Sequence, residues 1–194
     1  MAFTVGEREV RPLTADEVLR MVELGILEED EPVELLQGAL VRVNAKSPAH
    51  EEVKLVLIQW LAESARRGGY VVRVEAPLLV PDRTSLPEPD ICVVQAARDR
   101  RRHPDAALLV IEVAVSSWRT DTRVKPALYA AAGVPELWVF EPRAQRLHVF
   151  DEPAPSGYDR IRVVEGHESV RPQFVDVLPL SLPELFAGLE LEDD

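Results

Sequence analysis

Cysteine is nearly absent from this sequence: Cys92 stands alone among 194 residues, so no internal disulfide can form. Its setting, Asp90-Ile-Cys-Val-Val94, is that of a small buried apolar residue rather than a redox group or nucleophile. Long apolar runs are also missing. No window approaches the roughly 20 apolar residues of a membrane span, and the stretch from Met1 to Val10 has no apolar core of signal-peptide length. Both absences make a cytoplasmic protein with no membrane contact the expectation. Histidine numbers four, and His103, His148 and His167 have no ligand spacing, which argues against zinc. Internal repeats and low-complexity segments are absent. Lysine is the scarcest charge: of 22 basic residues only Lys46, Lys54 and Lys125 are lysines. Genome composition accounts for the bias, but three lysines are few enough for each to be inspected individually.

What is present is the composition of a globular domain, 46% hydrophobic and 29% charged. The length suits one domain over residues 1–194, with 1–12 and 188–194 expected to be flexible. The formal charge is -12, which at first argues against nucleic acid and anionic membranes alike. The distribution alters that inference. Residues 1–40 carry ten acids and three bases, and residues 151–194 carry eleven and three. The stretch 41–150 keeps thirteen acids and sixteen bases, a net of +3. The acidity is terminal and the middle is mildly basic.

Thr14-Ala-Asp-Glu17 is a capping box with Leu13 placed as its hydrophobic staple, and it predicts a helix through Leu24. Residues 33–43 read as a hairpin around Gln37-Gly38. Val53, Val56, Leu57, Trp60 and Leu61 recur at helical spacing, predicting a long helix over 48–67 closed by Gly68-Gly69. Strand-like runs follow at 70–80, 91–95, 107–115, 137–140, 147–150 and, more weakly, 158–164. A second helix is expected between Thr120 and Ala132 and a short one over 182–186. The fold class is therefore α/β: a central sheet flanked by helices, preceded by a helix and a hairpin.

Two carboxylates interrupt this apolar pattern. In Leu108-Leu-Val-Ile-Glu112-Val-Ala-Val115 a glutamate sits inside a run that strands buried on both faces display. An unpaired charge there would cost about 4 kcal/mol or more. Asp90 stands at the mouth of another apolar strand. Alternation puts Asp90 with Cys92 and Val94 on one face, and Glu112 with Val110 and Ala114 on one face. If the two strands pair, both carboxylates can converge on a hard cation such as Mg2+ or Mn2+. If Glu112 lies on an edge strand, it simply faces solvent. Lys125, on the helix after the Glu112 strand, can bring an ammonium group to the same place, although a helix lysine is more often a solvated charge. Pro126 pushes Lys125 away from helical dihedrals, so the helix must kink or start late. His50 reads as a helix-cap residue, Asp121 as an N-cap or first-turn acid, and Tyr129 as core. Arg98, Arg100, Arg101 and Arg102, between the two site strands, form either a solvated loop or a phosphate contact.

Taken together, Leu108-Leu-Val-Ile-Glu112-Val, Asp121, Lys125, Tyr129, Gly133-Val134 and Glu136-Leu-Trp138-Val resemble the Uma family of restriction endonuclease-like proteins. Val33-Glu34-Leu-Leu-Gln-Gly38, Ser47-Pro-Ala-His50 and Pro89-Asp90 extend the resemblance from about Leu13 to Phe186. The family belongs to the PD-(D/E)XK phosphodiesterase superfamily. The resemblance implies a restriction-endonuclease-like core and a DNA endonuclease dependent on Mg2+ (or Mn2+). Asp90 and Glu112 would be the catalytic carboxylates, holding metal with the backbone carbonyl of Val113. By the same resemblance Glu34 is an additional metal carboxylate, beside the plainer reading of an outward hairpin residue. The lysine of the superfamily pattern, two positions after the glutamate, is replaced here by Ala114, and Lys125 is the expected substitute. DNA is the implied partner, weakly bound without metal, and fold analogy adds a homodimer for duplex cleavage. The alternative is a catalytically inactive domain of this fold that binds nucleic acid or a protein partner.

Overall fold

The structure, a computed structural model, describes residues 3–5, 8–96 and 102–187. A small two-stranded sheet of β1 (Phe3–Val5) and β2 (Arg8–Val10) leads into α1 (Ala15–Glu23). The capping box is formed: Thr14 Oγ1 accepts the Glu17 amide, and the Glu17 carboxylate accepts the Thr14 amide at 2.9 Å. Leu13 packs in the same cluster as Val18, the staple the sequence predicts.

The hairpin β3 (Val33–Leu36) and β4 (Ala39–Arg42) turns through Gln37 at φ 51° and Gly38 at φ 84°. Two left-handed residues make the tight turn whose twist matches antiparallel strands. Gly38 is also required sterically, because a Cβ there would lie 2.3 Å from Pro12 Cβ. Its amide donates to Thr84 O and its carbonyl accepts the Leu13 amide, tying the hairpin to both neighbouring segments.

Helix α2 (Pro48–Gly68) begins at Ser47, whose hydroxyl accepts the His50 amide, and stops at Gly69 in the left-handed conformation. The central sheet follows: β5 (Tyr70–Val74), β6 (Ile91–Gln95), β7 (Leu109–Val113), then α3 (Trp118–Arg123), α4 (Lys125–Ala131), β8 (Glu136–Glu141), β9 (Arg146–Ala154) and β10 (Gly157–Glu165). A single 3-10 turn, Pro142–Ala144, links β8 and β9. Strand β11 (Ser169–Val170) pairs with β12 (Leu180–Ser181), and α5 (Leu182–Phe186) ends the described chain. The sheet order is β10-β9-β8-β7-β6-β5, and only the β7–β8 pair is parallel. A parallel pair needs a crossover, and α3 with α4 supplies it.

Strand β7 is central and buried along its whole length, which is why its sequence reads as one apolar run. Leu109, Ile111 and Val113 pack with Val53, Leu57 and Leu61 of α2, Trp138 and Phe140 of β8, and α5. Val110 and Ala114 face the opposite side with Cys92, Leu137, Val139 and Tyr129. Burial pushes the Cys92 thiol up to about 12, the inert residue expected.

Two expectations of local structure are corrected. The helix predicted over 120–132 is two short helices, broken at Val124 with φ -99° and ψ -57°. Pro126 has no N–H to donate, and its ring disfavours helical geometry just before it, so the chain restarts at Lys125. The strand predicted over 70–80 ends at Val74, because Glu75 adopts φ 46° and leaves the ladder. Among the described residues no helix is long and apolar enough to cross a membrane.

Gly38→Ala tests the hairpin anchor: the clash with Pro12 and the positive φ should together lower stability by about 1–3 kcal/mol. Urea unfolding would measure this, and an unchanged midpoint would contradict the turn geometry.

Candidate active site

The site begins where β6 meets β7. Their register pairs Ile91 with Ile111 and Cys92 with Val110. One step further places Asp90 opposite Glu112, and the Asp90 amide points to Glu112 Oε2 at 3.4 Å. Asp90 and Glu112 are both 2% exposed. Glu112 lies on a central strand, which settles against the edge-strand reading.

Glu112 Oε1 accepts a hydrogen bond from Tyr129 Oη at 2.5 Å and one from Lys125 Nζ at 3.1 Å. The helix break solves the reach of Lys125: with α4 restarting at that residue, its side chain runs back over the sheet. Its ammonium also lies 3.0 Å from Glu34 Oε1 and 3.5 Å from Asp121 Oδ1. Glu34, on β3, is buried, not outward, and accepts the Glu88 amide at 2.8 Å. The bridge between Leu35 and Leu86 brings β3 alongside the 86–90 segment and so delivers Glu34. Asp121 lies in α3, where Ser117 Oγ donates to its Oδ2, while Oδ1 has no hydrogen-bond partner.

Asp90 has a different set of partners. Its Oδ2 accepts the Val113 amide at 2.7 Å. Its Oδ1 lies 2.5 Å from Lys46 Nζ and 3.1 Å from His50 Nε2. The His50 ring, expected to cap, is thus turned to Asp90, and Ser47 is the cap. From His50 the contacts continue through Glu51 Oε1 (3.2 Å), Lys54 Nζ (2.8 Å), Glu75 Oε1 (2.7 Å) and back to Lys46 (3.8 Å). The contacts close a ring. All three lysines of the chain therefore end on site carboxylates or their immediate partners.

The two halves differ electrically. Burial opposes ionisation of Asp90, but His50 and Lys46 outweigh it and hold its carboxyl well below the ordinary carboxylate range. Around Lys125 the balance reverses. Burial, only partly offset by Lys125, raises Glu112 well above its usual value, with Asp121, Asp90 and Glu34 adding to the rise. Burial and the same neighbours raise Asp121, and burial with Glu34 pushes Glu88 up to about 7. Lys125 is raised despite its burial, by Glu112 first and then Glu34 and Asp121. Every shift on this side favours taking up positive charge. The inner cluster has more carboxylate than one ammonium neutralises.

That surplus, the all-oxygen donor set and an Asp121 Oδ1 that accepts no hydrogen bond suit a hard divalent cation. Among the described residues no three His, Cys, Asp or Glu side chains converge on one point. Mg2+ does not need such a cage, because it keeps waters and binds through one or two carboxylates plus substrate phosphates. Asp90 and Glu112 fit that mode. Val113 meets the site through its amide, bonded to Asp90. Of the arginine loop, Arg98, Arg100 and Arg101 lie outside the described residues. Arg102 is exposed and lines a groove of about 1380 Å3 between α1 and the β5–β6 edge. That groove does not include the carboxylates, and its Arg73, Arg83 and Arg102 are matched by Asp16, Glu23 and Asp105.

Sequence reasoning missed the side-chain roles of His50, Lys46 and Lys54. The scarcity of lysine was the only signal for the last two.

A family model, Uma2, described as "Putative restriction endonuclease", matches residues 15–185. Among solved structures, a putative nuclease belonging to DUF820 from Anabaena variabilis ATCC 29413 is similar at a TM-score of 0.72 and 20% identity. The match covers 90% of this chain and 98% of that one, and at this identity it speaks for the fold. Among curated proteins none matches.

Glu88 gives the site a pH signature. A carboxyl held at about 7 against its ordinary 4.5 takes up a proton on folding between those pH values. Stability should therefore fall as pH rises from about 4.5 to about 7 and level off above. Glu88→Gln should remove its share of that slope, visible as a smaller loss of urea midpoint between pH 5 and pH 8 than in wild type.

Proposed function

The chain belongs to the Uma2 family, described as "Putative restriction endonuclease", and from that premise we propose that it is a Mg2+- or Mn2+-dependent endonuclease that hydrolyses DNA phosphodiester bonds. The observation that carries the proposal is the pairing of Asp90 and Glu112 on one sheet face, with Lys125 on Glu112. Asp90 and Glu112 are the residues proposed to hold the ion, with the Val113 carbonyl as a third donor. When bound, a divalent ion polarises the scissile phosphate and lowers the pKa of a coordinated water.

The chain's own groups prepare that place. Tyr129 fixes one oxygen of Glu112, and the Val113 amide fixes one oxygen of Asp90, so neither carboxylate rotates freely. Lys125 is held by Glu34 and Asp121 and stabilises Glu112 in its ionised form. The assignment of Glu34 as a metal carboxylate becomes, on this geometry, a proposal that it positions Lys125 beside the ion. Arg102 and the neighbouring Arg98, Arg100 and Arg101 are proposed phosphate contacts. A net charge of -12 and a charge-balanced groove support weak, salt-sensitive DNA binding without metal. One site per chain supports a two-fold assembly for cutting both strands.

A second reading has its own support. The side chain of Lys125 is only 7% exposed and is enclosed by three carboxylates, which suits a domain that binds without cleaving. Cleavage decides between the two. The nuclease reading expects a divalent-dependent cut in plasmid or duplex DNA, stopped by chelation and reduced at least 100-fold by Asp90→Ala or Glu112→Ala, on the order expected for lost metal ligands. Undiminished cleavage by both variants would reject this site, and no cleavage with intact Mn2+ binding would favour the binding reading.

A further inference from the structure

The two lysines nearest the paired carboxylates are placed for different tasks. Lys125 opens α4, is buried, and its ammonium is shared among Glu34, Glu112 and Asp121. No face of it is left for a substrate. Lys46 sits in the non-helical segment between β4 and α2, just before the Ser47 cap. Its side chain is 33% exposed, against 7% for Lys125. At 2.5 Å it makes one close ion pair, to Asp90 Oδ1, while Glu75 lies at 3.8 Å. Its flexible four-carbon stem can therefore move without breaking the buried network around Glu112.

Asp90 Oδ1 has no room for every cation assigned to it. Asp90 Oδ2 accepts the Val113 amide and Oδ1 faces Lys46 and His50, so an ion that takes Oδ1 has to share it with Lys46. Lys46 already occupies it, beside His50 Nε2. An ammonium and a divalent ion on the same oxygen repel each other, and the partly exposed Lys46, whose other contacts are the longer ones to His50 (3.4 Å) and Glu75 (3.8 Å), is the group that yields.

We propose that Lys46 is the substrate-facing lysine of the site: it neutralises Asp90 while the site is metal-free, and is displaced onto the scissile phosphate when the ion binds. Lys125, enclosed, keeps Glu112 in place. The inference rests on the nuclease reading and assigns the phosphate contact within it.

The test combines Lys46→Met and Lys46→Arg in the full chain, with two readouts. Free Mn2+ counted by electron paramagnetic resonance, without DNA, reports competition for Asp90. Removing the competing charge should tighten Mn2+ binding about 5-fold in Lys46→Met, and Lys46→Arg should stay near wild type. Cleavage of a duplex at saturating Mn2+ should then fall about 100-fold in Lys46→Met, with partial recovery in Lys46→Arg. Opposite signs on metal affinity and cleavage separate this role from a structural one, which would lower both. Mn2+ affinity that is unchanged or weaker in Lys46→Met overturns the inference, and so does cleavage within 3-fold of wild type. Should wild type bind no Mn2+ at all, the metal-dependent reading falls and the inference with it. Wild type that binds Mn2+ without cleaving rejects the nuclease reading alone. The displacement onto phosphate is then read from binding of a fluorescent duplex in Ca2+, where Lys46→Met should lose about one unit of salt slope, and an unchanged slope overturns it.

Discussion

The buried carboxyl of Glu112 inside β7 is the constraint around which the site is organised. A carboxylate at 2% exposure on a central strand would cost several kcal/mol if left alone. The chain answers with Lys125 and Tyr129 from one helix, and that answer has consequences. Lys125 brings burial of its own, so Glu34 from the hairpin and Asp121 from α3 are drawn in to hold it. Three separate segments, β3, α3 and α4, thus depend on one glutamate. The resulting group is over-supplied with negative charge, as the upward shifts of Glu112, Asp121 and Glu88 record. A purely structural ion pair has no reason to carry that excess. On the proposed metal reading, a bound cation offsets it.

Asp90 shows the contrasting arrangement, and the contrast divides labour across a few ångströms. Lys46 and His50 both lie against it and hold its carboxyl well below the ordinary carboxylate range. The Glu112 side is rigid, because helix and strand contacts fix each member. The Asp90 side is joined through long side chains on the rim, with Lys46, Glu51 and Glu75 partly exposed. Rigidity next to a pliable rim is what a site needs if it must keep its ligands in register while admitting a charged polymer. The acidity of the chain lies at its two ends, and residues 41–150, which hold Asp90, Glu112 and Lys125, carry a net charge of +3.

Much of this was legible beforehand. The period-two alternation of β6 and β7 placed Asp90 and Glu112 on one face, and the pairing of those strands completed the inference. Thr14, Gln37-Gly38 and Gly69 marked their elements because caps and tight turns are decided within a few residues. Pro126 marked a break in the second helix, though its effect on Lys125 ran opposite to what a kink suggests: the break delivers the lysine. His50 and Lys46 were not legible as partners of Asp90. They lie 40 and 44 residues away, and nothing in their neighbours specifies which strand end α2 will cover.

By itself the sequence determined the elements, the burial of β7, and the fact that a carboxylate there requires a partner. Those follow from local dihedral preferences and from periodicity, which are properties of short stretches. The tertiary structure alone decided which cation meets which carboxylate. The flanking residues, Pro126 beside Lys125 and Ser47-Pro48 beside Lys46, mark where the helices start but not which carboxylate each lysine meets. The difference comes from a crossover that lays α4 over the sheet and from a helix start that leaves Lys46 outside it, because charge pairing at distance is set by packing.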